Sequence, residues 1–398
     1  MAAEPAHIAR KGTSRLDWLD ALRGIGALAV VGEHLTTWAL PWLRPTAFNL
    51  GTYGVLVFFL VSGYIIPYSL ERHGDVRAFW AGRAFRLYPL YVAVIGLTLA
   101  LSPWIEVREE VPRDGSAVAA HATMLLDVVG VGGVLNTMWT LSYEMVFYLL
   151  AAALFVLGVR DGRGALPVVF AVAAAVTGAA WAAAPLSGGW VSWVSLGGFA
   201  AGLACVLSGR AVRGASVALG LMALGLLLLS SRVPWFGAAL LAVMFAGTAI
   251  HRWERGQGRL WPVGVAAALV AATPLWALSA GWWWVQPARW VLTVVLAAAT
   301  FAAARALRGR RVPAALTRLG VISYSLYLVH LPLLLVLMEV VGEMRWAPTA
   351  AQVGVGVLVL ALLLPLSWLS HRFVELPGQR LARRWTGRRA ASGGVPAR

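Results

Sequence analysis

Twelve apolar runs follow one another along the chain, and this succession limits the fold more than any other feature. They lie near 22–41, 51–70, 87–105, 138–157, 166–184, 190–207, 214–230, 235–250, 263–279, 290–304, 319–341 and 349–370. A spanning helix needs about 20 apolar residues to cross a hydrocarbon core of about 30 Å. Of the 398 residues, 60% are hydrophobic and 13% charged, against about 25% charged in a soluble domain. The expected fold is all-α: a polytopic transmembrane helical bundle of 10–12 spans. The runs at 190–207, 235–250 and 290–304 are short, and the best count is twelve.

Orientation follows from the basic residues, which collect in cytoplasmic connections. With the N-terminus inside, alternate connections and the two ends hold 26 of the 33 lysines and arginines, and the outer connections hold six. The remaining one, Arg23, lies in the first run. This alternation through twelve crossings supports a cytoplasmic N-terminus and an even span count in the cell membrane. Three regions are expected: a cytoplasmic segment 1–20, a transmembrane domain 21–370, and a basic cytoplasmic tail 371–398 without regular structure. The first run reads as a retained anchor rather than a removable signal peptide.

The net charge of +16 does not imply nucleic acid, because the basic residues are interleaved with apolar runs. The lone cysteine, Cys205, excludes intramolecular disulfides and thiolate clusters; it is expected in the core. No metal site is expected. Trp42, Trp104, Trp139, Trp190, Trp235, Trp282–Trp284, Trp290 and Trp346 fall near outer ends of runs, where indole rings suit the headgroup level. The one long connection, 106–137, carries Glu106, Glu109, Glu110, Asp114 and His121, and its glycine-rich end from Val128 to Val134 has the character of a re-entrant segment.

Ionisable groups inside spans are costly and therefore functional candidates. Arg23 and His34 are eleven residues apart, which returns them to nearly one helix face with a rise of about 16 Å. Arg23 then sits at the cytoplasmic entrance and His34 near mid-membrane. Histidine suits general-base work near neutral pH, yet a buried histidine bridging two helices has the same spacing. Ser62 and Tyr64 flank Gly63 halfway across the second span, a pattern that helix packing also explains. Arg83 and Arg86 share one face; they suit a phosphate clamp or ordinary positive-inside charge. Glu144 is expected about 9 Å below the outer surface, close to the depth of His34. Tyr324 and His330, on the eleventh span, are expected at the same level.

These residues form an ordered set: Arg15-Leu16-Asp17 and Asp20-Ala21-Leu22-Arg23-Gly24 through to His34, then Gly54-Val55 with Phe58-Phe59 and Ser62-Gly63-Tyr64. Arg83-x-x-Arg86, Trp139-x-Leu141-x-x-Glu144 and Ser323-Tyr324-Ser325-x-Tyr327-Leu328-x-His330 follow. In this order the chain resembles acyltransferase family 3 of membrane O-acyltransferases. The resemblance implies transfer of an acyl group, expected to be acetyl, from cytoplasmic acyl-CoA to a hydroxyl of a sugar-containing acceptor. That acceptor is a surface glycan, a lipid-linked sugar or a secreted metabolite such as a macrolide. By resemblance, His34 is the base and Glu144 supports it. Arg23, Arg83 and Arg86 engage the acyl-CoA, and Ser62, Tyr64, Tyr324 and His330 line the acceptor site. The expected partners are the bilayer, acyl-CoA and the acceptor. Thr140 and Glu33 depart from the family pattern, and the esterase-like extension of longer members is not expected. The competing reading is a transporter that uses the same buried groups as a proton or substrate path; the absence of a visible internal repeat weighs against it.

Overall fold

The computed structural model describes residues 17–108, 111–159, 161–180, 183–278, 281 and 285–392. Arg15, Leu16, Glu109, Glu110, Arg160 and Trp282–Trp284 lie outside the described residues, as does most of segment 1–20. The described chain is helical without strands. In order come α1 (Asp17–Trp38), α2 (Leu50–His73), α3 (Val76–Leu101), α4 (Gly115–Thr123), α5 (Trp139–Val156), α6 (Ala165–Ala180), α7 (Gly189–Ser208) and α8 (Val212–Leu229). There follow α9 (Pro234–Glu254), α10 (Trp261–Ala271), α11 (Pro274–Ala277), α12 (Pro287–Ala306), α13 (Ala314–Val321), α14 (Ser323–Val341), α15 (Thr349–Ser370) and α16 (Leu376–Ser392).

Each apolar run has its helix. Among the described residues, nine helices are long and apolar enough to cross a membrane. The remaining three runs correspond to α1, which has the length but carries Asp17, Asp20, Arg23 and Glu33, and to the shorter helices α6 and α10–α11. The protein is a multi-pass helical membrane protein.

The arginine-bearing connections that alternate along the sequence meet at one end of the bundle. Arg252 bonds Glu71 at 2.5 Å, Gly209 packs on Arg77, Gly164 packs on Pro262, and Arg308 bonds Glu254 at 2.6 Å. This is the basic end. At the opposite end Arg44 bonds Glu33 at 2.7 Å and Trp42 donates to Gln352 at 2.9 Å. Glu33 also accepts from the Gly51 N–H at 3.3 Å, so it ties the end of α1 to the start of α2.

Glycine sets the closest helix crossings. A Cβ on Gly63 of α2 would lie 1.7 Å from the Met244 carbonyl oxygen of α9, and one on Gly320 would lie 1.8 Å from the Asp20 oxygen of α1. No other residue permits such approaches.

Four expectations need correction. The third span begins at Val76 rather than 87, because Asp75 caps it by accepting from the Arg77 N–H. The tail is helical to Ser392: α15 runs through a π turn at His371–Glu375 into α16, which meets α3 where Gly378 lies against the Phe85 carbonyl. Cys205 is exposed on the outer face of α7. Trp235 and Trp290 are core residues, and Trp290 donates to the Val270 carbonyl at 2.7 Å; Trp42, Trp104, Trp190 and Trp346 are exposed.

The connection after α3 dips into the bundle. Tyr88, halfway along α3, donates to the Ala122 carbonyl at the end of α4. Tyr88 is thirteen residues below Leu101, a descent of about 20 Å at 1.5 Å per residue. Met124, Leu125, Leu126, Val128 and Val129 are fully buried there.

Candidate active site

The site is built where α1, α2, α3, α5 and α14 converge, and it extends from the basic end toward the opposite one. At the basic end, Arg83 and Arg86 of α3 line a cavity of about 410 Å³ together with Ser69 of α2 and Arg383 of α16. Arg83 lies over the ring of Tyr148, 5.2 Å from its centroid. The Tyr148 hydroxyl donates to Glu144. Ser62 donates to the same carboxylate oxygen at 3.4 Å. Arg23 is held over Phe58 at 5.4 Å and lies within electrostatic reach of Arg86, Asp20 and Glu144. A line of contacts thus runs from the cavity through Tyr148 to Glu144, with Arg23 alongside.

Above Glu144 is a small chamber of about 30 Å³, room for roughly one water. Gly26, Val30, Phe58, Thr140, Tyr324 and Tyr327 line it with Glu144. Val30 is one turn below His34 on α1, which puts the chamber between the Arg23 and His34 levels. Tyr324 donates to the Leu87 carbonyl at 2.8 Å. Tyr327 donates to the Thr137 carbonyl at 2.6 Å and is 2.7 Å from the Thr140 hydroxyl. These bonds fix the two rings before any ligand arrives.

His34 and His330 face each other beyond the chamber, with ring centroids 5.3 Å apart. His34 is half-buried and His330 fully buried. The Nδ1 of His330 is 3.2 Å from the Leu326 carbonyl. A carbonyl only accepts, so Nδ1 carries the proton and Nε2 is an acceptor. That Nε2 has no hydrogen-bond partner among the described residues. This leaves Nε2 of His330 open to accept a hydrogen bond.

The structure brings together most of the residues singled out from the sequence, with two changes. Glu144 lies with Arg23, Ser62 and Tyr148, below the histidine pair rather than level with it. The start of α5 is sunk beneath the dipping connection, so counting from the outer surface places it too high. Tyr64 turns away from the chamber: its hydroxyl donates to Glu254 of α9 at 2.8 Å, and its ring packs on His251 with centroids 4.6 Å apart.

Two buried carboxylates escaped the sequence reading. Asp127 accepts from the Tyr143 hydroxyl at 2.6 Å and lies within electrostatic reach of Arg108 and Arg232. It anchors the dipping connection, and its place between apolar residues was the available signal. Glu375, 1% exposed, accepts from Ser325 and lies 3.4 Å from His371. Its signal was hidden because the π turn that directs it inward is invisible in the pattern of apolar residues.

The profile of the acyltransferase-domain family matches residues 16–370. The chain belongs to that family. The match covers every element that builds the site except α16, which supplies Arg383. Three curated relatives of this acyltransferase chain are similar over shorter stretches. YrhL of Bacillus subtilis is 29% identical over 161 residues, 35% of this chain and 24% of its own. The peptidoglycan O-acetyltransferase OatA of Listeria monocytogenes is 26% identical over 149 residues, 33% of this chain and 23% of its own. The acyltransferase MdmB of Streptomyces mycarofaciens is 29% identical over 151 residues, 34% of this chain and 38% of its own. No solved structure matches the chain.

Proposed function

We propose that the protein is an O-acyltransferase of the cell membrane that moves an acyl group, acetyl in the first instance, from cytoplasmic acyl-CoA to a hydroxyl of a sugar-containing acceptor. The single observation that carries this reading is the line of contacts from the Arg83–Arg86 cavity through Tyr148 to Glu144, above which the chamber is bounded by Tyr327, whose ring centroid lies 5.9 Å from that of His330. Its basic end suits the phosphates of coenzyme A, since guanidinium groups bind phosphate oxygens by paired charge-assisted hydrogen bonds. Arg383 adds a third guanidinium to the lining. The rise of about 16 Å from Arg23 to His34 is the distance that the thioester arm must cover to reach the base. The relatives named for O-acetyl transfer to peptidoglycan and for acyl transfer support the reaction class.

In the transfer, His34 accepts the proton of the acceptor hydroxyl. The freed oxygen bonds to the thioester carbonyl carbon, and the carbon–sulfur bond breaks. The thiolate leaves and takes up the proton held on the imidazole. The Nε2 of His330 accepts a hydrogen bond from the imidazolium in the meantime and holds it in place. Glu144 keeps Arg23 and Tyr148 in register below the reacting centre.

The test is thiol release from acetyl-CoA by the purified protein, with candidate acceptors from peptidoglycan fragments to macrolide glycosides. Acceptor-dependent thiol release with an acetylated product is expected. Acceptor movement across a vesicle membrane without thiol release supports the transporter reading instead.

A further inference from the structure

The groove between α2, α9 and α12 takes no part in the chemistry described above. Leu56, Leu60, Tyr64, Tyr68 and Arg72 of α2 recur every four residues, each turned about 40° round the helix from the one before. Within the membrane, Leu56 and Leu60 border an apolar cleft of about 500 Å³, walled also by Ala246 and Ile250 of α9, Val263 and Ala266 of α10, and Ala298 and Phe301 of α12. Toward the basic end and further round the helix, α2 borders a second cavity of about 670 Å³ lined by Tyr64, Tyr68, Arg72, His251, Arg255 and Arg308. Arg305, at the end of the cleft, bonds Glu254 in the wall of the second cavity. The two cavities share no lining residue and adjoin across this ion pair, an apolar space and a basic one end to end.

The head of the groove is positive. Arg72, Arg255 and Arg308 stand against the single carboxylate Glu254 in its lining. The Arg255 guanidinium is stacked on Tyr68, 4.4 Å from the ring centroid, so its donors are held in a fixed direction. Arg308 is fixed by Glu254 at 2.6 Å. Both cavities have the size of ligand sites, about 300–1,000 Å³. An occupant must be apolar over the membrane half and anionic at the head.

We propose that this groove binds an anionic phospholipid of the bilayer, with an acyl chain in the apolar cleft and the phosphate at Arg72, Arg255 and Arg308. Basic pockets between spanning helices on the cytoplasmic side recognise anionic headgroups in this way. The occupant also bears on the active site. Tyr64, in the groove wall, is two residues from Ser62, which donates to Glu144. A filled groove braces the turn of α2 that presents Ser62, and the reaction rate follows lipid occupancy.

The experiment is native mass spectrometry of the full-length protein, delipidated in neutral detergent and titrated with phosphatidylglycerol or phosphatidylcholine. Phosphatidylglycerol is expected to be retained in preference. At about 1 kcal/mol per arginine near the phosphate, each of Arg72→Gln and Arg255→Gln weakens retention by about fivefold. The apolar half is tested separately by Ala298→Trp, which fills the cleft and leaves every arginine in place; it is expected to abolish retention. Arg210→Gln, on the α7–α8 connection and in the lining of neither cavity, leaves retention unchanged. Equal retention of both lipids, or full retention in Ala298→Trp, overturns the proposal. So does a loss of acetyl-CoA affinity in Arg255→Gln with lipid retention intact, which makes the cavity part of the donor site. These readouts need no turnover, so they stand or fall separately from the acyl-transfer reading.

Discussion

Replacing Gly63 by alanine tests how the closest helix crossing supports the site. The added Cβ would lie 1.7 Å from the Met244 carbonyl oxygen and 2.5 Å from its carbonyl carbon. Ordinary contact begins at 3.4 Å, so α2 and α9 must separate by about 1.7 Å at this point. The atoms in the way are backbone and have no rotamer to change. Overpacking of this kind costs about 1–3 kcal/mol. The separation also breaks the bond from Thr248 Oγ1 to the Gly63 carbonyl, 2.8 Å long, worth about 1 kcal/mol. A total of about 2–4 kcal/mol is a large share of a typical folding stability of about 5–15 kcal/mol. The shift carries Ser62 away from Glu144, and a displacement of about 1 Å near reacting groups costs up to about 100-fold in rate. Thermal unfolding in detergent and acetyl-CoA turnover by the purified variant measure the two effects. A melting temperature and a turnover both equal to those of the unaltered protein refute the reasoning.

Three further outcomes are expected. Arg83→Ala raises the KM for acetyl-CoA by about 10–100-fold, since a charge-assisted phosphate bond contributes about 1.5–3 kcal/mol, while Arg113→Ala in the opposite-side connection leaves it unchanged; steady-state kinetics decide. Asp127→Ala leaves the Tyr143 hydroxyl without its 2.6 Å acceptor and strips a carboxylate from between Arg108 and Arg232. Leaving that buried hydroxyl unsatisfied costs about 1–3 kcal/mol, read as a lower melting temperature and faster proteolysis within 111–135. The third concerns pH. The Ser116 hydroxyl, with the Ala117 and Ser116 N–H groups, holds the Asp114 carboxylate below its ordinary value. A depressed value means that this cap of α4 is intact above the ordinary carboxylate range and is lost as pH falls through the lowered one. Hydrogen exchange at the first turn of α4 accelerates on that acidification, and Asp114→Asn makes the exchange less sensitive to it.

The sequence made the helices legible because a bilayer demands long apolar runs, and the alternating arginines anticipated which connections share an end. Arg23, His34, Arg83, Arg86, Ser62, Tyr324 and His330 stood out because ionisable or polar groups inside apolar runs are costly. Heights were less legible. Glu144 was placed by counting from an outer surface, and the sinking of α5 beneath the dipping connection depends on tertiary contacts such as Tyr88 to Ala122. Direction around a helix also escaped. Tyr64 shares a motif with Ser62, yet two residues amount to about 200° of rotation, and it faces the other side of α2. Glu375 was hidden because a π turn shifts the register by one residue, and the charge-rich tail after 370 gave no sign of continued helix.

The central claim is that His34 removes the proton from the acceptor hydroxyl at the end of the path that starts at Arg83 and Arg86. The most direct measurement is acceptor-dependent thiol release from acetyl-CoA by purified His34→Ala, alongside its acetyl-CoA affinity measured at equilibrium. The account predicts a fall in kcat of about 100–10,000-fold, the usual worth of a positioned base, with acetyl-CoA affinity retained because the phosphates are held at the other end. Full transfer by His34→Ala contradicts it.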